Sequence, residues 1–128
     1  MQMAEQLVNV RAWQDLFEKL DACLGLAPNW DGYSALPPSS LAVGKAKEFL
    51  TLLRGSELEP ARLKPSVASG IGLTIRKGRR KVYVEFYNDG TVYAFFSDGE
   101  SEPETRQVQA RQEDYLALIG QSREYLNA

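Results

Sequence analysis

The stretch from Ile71 to Ser97 reads IGLTIRKGRRKVYVEFYNDGTVYAFFS, three runs of apolar–polar alternation separated by two turn signals. A period of two is the signature of half-buried strands, so these runs predict an antiparallel meander. Placing Ile71, Leu73, Ile75, Val82, Val84, Phe86, Val92, Ala94 and Phe96 on one face requires Ile75 opposite Val82 and Phe86 opposite Val92. Each turn then has one natural length. The first is the two-residue loop Gly78-Arg79, with glycine where a type II′ turn needs positive φ. The second is the three-residue loop Asn88-Asp89-Gly90, with Gly90 as the left-handed bulge residue.

Working outward, the acidic stretch Asp98, Glu100, Glu102 and Glu104 with Pro103 reads as a loop. Thr105 to Val108 suits a fourth strand, and Arg111 to Leu126 a helix with Tyr115, Leu118, Ile119, Ser122 and Leu126 on one side. On the other flank, Ser56 to Pro65 carries two prolines and reads as a surface link, with a short edge strand expected over Pro65 to Val67. Ser39 or Ser40 can cap a helix running to about Leu53, with Leu41, Ala42, Ala46, Phe49, Leu50 and Leu53 on one face and Gly55 ending it. A first helix, Glu5 to Leu26, has a stripe of Leu7, Val10, Trp13, Phe17, Leu20 and Leu24. Between these helices lies Pro28-Asn29-Trp30-Asp31-Gly32-Tyr33-Ser34-Ala35-Leu36-Pro37-Pro38, where Trp30 and Tyr33 are expected to plug the helix ends rather than contact a ligand. The expected fold is α+β: an antiparallel meander of three to four strands packed against about three helices, as a single domain over residues 1–128.

At 128 residues and 44% hydrophobic content, the chain can bury a core without covalent staples. Its formal charge of -2 creates no global attraction to nucleic acid or anionic membrane, so any such binding must be local. Cys23 is the sole cysteine, which fits a reducing compartment, and neither a leader pattern nor an apolar run of membrane-spanning length is evident. A cytoplasmic location without a membrane partner is expected.

The order of helix, Trp30-Asp31-Gly32-Tyr33 loop closed by Pro37, second helix, proline-bearing link and meander with an Asp89-Gly90 turn resembles a group of small uncharacterised bacterial proteins. They carry a Trp-Asp-Gly-Tyr loop before a short β-meander and end in a helix. Arg76 stands where the resemblance implies an aromatic at the end of the first strand. The resemblance implies a bacterial cytosolic α+β protein and brings no activity with it.

The residues offer little for catalysis. Histidine is absent, removing the commonest proton carrier near neutral pH and the usual nitrogen ligand for zinc. Cys23, late in an amphipathic helix, sits where small thiols pack. Gly70 and Gly72 precede a strand rather than a helix, so they form no phosphate loop. Carboxylate chemistry at Asp31, or at Glu85 with the acidic loop, is the third-ranked reading, and no catalytic, metal or cofactor residue is assigned.

Two local signals point to binding. The hairpin Arg76-Lys77-Gly78-Arg79-Arg80-Lys81 sets Arg76 against Lys81 and Lys77 against Arg80, like-charge rungs that something should offset. Strand direction brings the acidic loop to the same end of the sheet, which makes it the expected neutraliser. The outward face carries Thr74, Arg76, Lys81, Tyr83, Glu85, Tyr87, Tyr93 and Phe95, with Glu85 and the two basic residues expected near solvent. Should the third helix join the first two, these rings stay open to a partner; should it cross over, they become a second core. The first-choice function is a non-enzymatic protein–protein interaction module or homodimer using Arg76, Lys77, Arg79, Arg80, Lys81, Tyr83, Glu85, Tyr93 and Phe95. The alternative is a nucleic-acid binder that uses the basic hairpin with adjacent aromatics.

Overall fold

Turn chemistry and alternation produce the expected register. The computed structural model describes the backbone from Gln2 to Ala128 and the side chains from Asn9 onward. Strands β2 (Gly70–Lys77), β3 (Arg80–Tyr87) and β4 (Val92–Ser97) pair antiparallel, with Ile75 opposite Val82 and Phe86 opposite Val92. Gly78 has φ 62° while Arg79 stays at negative φ, as a type II′ turn requires. Gly90 has φ 92°, and Asp89 Oδ1 accepts from both the amide and the hydroxyl of Thr91, which closes the second loop.

The sheet is wider than expected. Edge strands β1 (Arg62–Ser66) and β5 (Glu104–Val108) flank the meander, giving five strands in the order β1-β2-β3-β4-β5. The upstream strand thus starts three residues before the expected Pro65, pairing Leu63 with Leu73. Pro65 is tolerated because β1 lies at the sheet edge.

Helix α1 covers Gln2–Ala22 and runs into a short 3₁₀ turn, Cys23–Gly25. Helix α2, Ser40–Gly55, is capped by Ser39, whose Oγ accepts from the Ala42 amide at 3.1 Å. Helix α3 covers Gln112–Leu126. Trp13, Leu20 and Cys23, then Phe49, Leu50 and Leu53, then Tyr115, Leu118, Ile119 and Leu126 join the inward strand residues in one buried cluster. Leu7 lies among the residues whose side chains are not described. Val10, Leu24 and Leu41, expected on apolar stripes, are exposed instead.

All three helices sit on the same side of the sheet. Tyr115 of α3 meets Phe49 at 5.3 Å and Phe86 at 6.4 Å, and Tyr125 meets Phe96 at 5.3 Å, all edge-on. No helix among the described residues packs on the opposite face. Among the described residues no helix is long and apolar enough to cross a membrane.

Candidate functional site

Period-two alternation divides the basic hairpin between the two faces. Lys77 and Arg80 turn toward the helices, where Arg80 Nη1 donates to the Tyr125 carbonyl at 3.2 Å and its guanidinium lies 4.9 Å from the Tyr125 ring centroid. Lys77 Nζ donates to Asn127 Oδ1. Both cations therefore sit at the C-terminus of α3, where carbonyls lack intrahelical donors and the helix dipole favours positive charge. Arg79 pairs with Glu100 at 2.9 Å, and exposures of 81% and 73% make that contact a weak one. Hydrogen bonds from the Glu100 and Ser101 amides, with Arg80 nearby, hold the Asp98 carboxyl below its ordinary range. The acidic loop thus lies beside the hairpin, as strand direction demands.

This geometry divides the expected site between the two faces of the sheet. Lys77, Arg79 and Arg80 have local partners away from the outward aromatics, and only Arg76 and Lys81 of the hairpin share the aromatic face. Among the described residues no carboxylate lies within 4.0 Å of either. The first edge strand adds two outward cations that the displaced strand boundary had hidden, Arg62 opposite Thr74 and Lys64 opposite Gly72.

The helix-free face is centred on β3. Tyr83 pairs with Phe95 across the strands, ring centroids 5.9 Å apart, while Tyr87 and Tyr93 meet edge-on at 5.9 Å. Glu85 lies between them, opposite Tyr93 on one side and Gly72 on the other. It was expected near solvent, yet it is 4% exposed. Its Oε2 accepts from the Tyr83 hydroxyl, and its Oε1 has no hydrogen-bond partner among the described residues. Burial, then the bond to Glu85, pushes the Tyr83 hydroxyl well above the ordinary tyrosine range. Gly72 makes this packing feasible, since a Cβ there would overlap the Tyr83 ring and hydroxyl. An interior strand glycine marks such close approaches, and Gly72 was the available signal in the sequence.

The Trp30 loop departs from expectation too. Tyr33 is 89% exposed, and Trp30 is half-buried with Nε1 donating to the Leu36 carbonyl at 3.0 Å. Local bonds organise the loop: Asp31 Oδ1 accepts from the Tyr33 and Ala35 amides, and Asn29 Oδ1 from the Ser34 amide. Those bonds hold the Asp31 carboxyl below its ordinary range and occupy it structurally. Cys23 is buried, its thiol donates to the Lys19 carbonyl at 3.4 Å, and burial pushes its pKa up. Among the described residues no three Cys, Asp or Glu side chains gather as metal ligands would. A groove of about 920 Å³, lined by Trp13, Phe17, Arg54, Glu57 and Glu59 among others, holds none of the outward aromatic or basic residues. Comparison of the chain with protein-family models, curated proteins and solved structures finds no match.

Proposed function

We propose that this chain is a non-enzymatic interaction module that takes a partner protein, or a second copy of itself, on the helix-free face of its sheet. The observation that carries this reading is that Tyr83, Tyr87, Tyr93 and Phe95 stay partly exposed on a sheet face that none of the described helices covers. Covering those rings removes apolar surface from water, worth about 25 cal/mol per Å². Arg76 and Lys81 lie beyond Tyr83, Tyr93 and Phe95 on the same face, giving an apolar centre with charge at its rim as protein interfaces have.

Single-stranded nucleic acid is the second reading, favoured by Arg62 and Lys64, which extend the basic strip. A carboxyl amid the rings works against a polyanion, so the protein partner ranks first. The test is a photo-crosslinking residue at position 93 or 95 in living cells, with position 116 on the exposed side of α3 as control. Crosslinks to protein from 93 and 95 but not from 116 are expected. Crosslinks from 116 alone, or to nucleic acid with a steep salt dependence in vitro, would overturn the reading.

A further inference from the structure

The outward face is self-complementary in charge and spacing. Across β2 and β3 its rungs run Arg76–Lys81, then Thr74–Tyr83, then Gly72–Glu85, and β4 adds Ser97, Phe95 and Tyr93 in the same order. A cationic rung therefore lies two residues to one side of Tyr83 and an acidic rung two residues to the other. At about 3.3 Å per residue, each is about 6.6 Å from the middle rung. The cations have no carboxylate within 4.0 Å, and the acid has an oxygen without a donor, among the described residues.

Consider a two-fold axis lying along the middle rung, in the plane between two facing sheets. The operation reverses strand direction and keeps each strand over its own copy, so the cationic rung of one chain falls on the acidic rung of the other, twice. Tyr83 and Phe95 meet their own counterparts at the axis. Facing sheets stand about 10 Å apart, a gap that extended Lys and Arg side chains reach across. Arg76 of the second copy arrives over Gly72, which the Tyr83 ring covers, so a guanidinium there falls beside an aromatic ring.

We infer that a second copy of this chain covers the helix-free face in this register, with the Arg76–Lys81 rung of each copy set over the Glu85 rung of the other, so that the charges of the two rungs oppose across the interface. The inference rests on the binding-face reading above and specifies its occupant. Arg62 and Lys64 lie toward the edge strand, at the rim, where physiological salt screens charge beyond about 8 Å. Five strands spaced about 4.8 Å apart and about six residues long present roughly 24 by 20 Å, a small interface, so association should be weak and concentration-dependent.

Sedimentation of the full chain from about 1 µM to about 1 mM tests this, with K81E, E85K and the double variant compared against wild type. Each single variant sets like charges against each other, and the double variant restores opposite ones. The expected result is at least about tenfold weaker association in each single variant and recovery in the double. Circular dichroism shows whether each variant is folded. Lys81 is exposed, so K81E remains informative even if E85K, altering a buried position, does not fold. In a Cys23→Ala background, Thr74→Cys near the axis should join its counterpart through a short thiol crosslinker, whereas Ser97→Cys should not. A wild type monomeric throughout, K81E associating like wild type, or Ser97→Cys crosslinking as readily as Thr74→Cys would overturn the inference. If the chain is monomeric but positions 93 and 95 still crosslink to a different protein, the face remains a binding site and only the second-copy assignment fails.

Discussion

Tyr83 takes its chemistry from three neighbours: its hydroxyl donates to Glu85, its ring covers Gly72, and its side meets Phe95. Burial raises its pKa first, and the adjacent Glu85 raises it further. Tyr115 is pushed up to about 12, by burial and then by the charge of Glu48, and Tyr87 is raised as well. In the unfolded chain all three titrate near pH 10. A group whose folded pKa is raised contributes stability that is complete below its unfolded pKa and lost as pH rises through the folded value. The melting temperature should therefore hold up to about pH 10 and fall above it. Tyr83→Phe removes one of these groups, so its decline over the same range should be shallower. Thermal melts across alkaline pH, with tyrosinate absorbance to follow ionisation, check this; an unaltered slope would mean that the Tyr83 hydroxyl titrates as it does in water.

Among the elements, the turn between β3 and β4 does more than reverse the chain. Asn88 Nδ2 donates to the Pro37 carbonyl at 3.0 Å, while Oδ1 accepts from the Ser39 amide at 2.7 Å and the Asn88 carbonyl accepts from Ser39 Oγ at 3.2 Å. One side chain thus ties the end of the Trp30 loop and the N-cap of α2 to the sheet. Asn88→Ala removes two partly buried bonds and strands their partners, which should cost about 2–3 kcal/mol. Urea denaturation measures the loss, and hydrogen exchange should show it at the amides of Ser39 and Ala42. Arg80 plays the matching part at the C-terminus of α3, joining the hairpin to the Tyr125 carbonyl.

The whole molecule has one helical layer over one face of a five-stranded sheet, and Phe49 lies where its parts meet. Its ring is 5.7 Å from Phe86 of β3 and 5.3 Å from Tyr115 of α3. Phe49→Ala opens a cavity bordered by α2, α3 and the sheet together, so it should cost about 3–5 kcal/mol and lower the urea midpoint without changing the slope. An effect near zero would mean that Phe49 is not packed between the sheet and α3. The same packing leaves the other face of the sheet to Tyr83, Tyr93 and Phe95, the face on which the proposed interaction depends.

The meander was legible in the sequence because strand alternation admits few registers and turn chemistry selects one of them: Gly78 and Gly90 stand where positive φ is needed, and both loops have the length the apolar face requires. The edge strands were less legible. Leu63 is the one fully inward apolar residue of β1, and β5 is largely exposed, so neither shows much alternation. Local pattern announced the apolar stripe of α3 but not the face it would cover; contacts with Phe49, Phe86 and Phe96, distant in the chain, decided that. Tyr33 was misread because an amphipathic ring suits core and solvent alike, and the loop is closed by its own hydrogen bonds without it. Glu85 is the clearest case. Alternation correctly placed it outward, where a charged residue reads as solvated, but its burial comes from rings on two strands and a glycine on a third closing over a central position, and only tertiary packing brings those together.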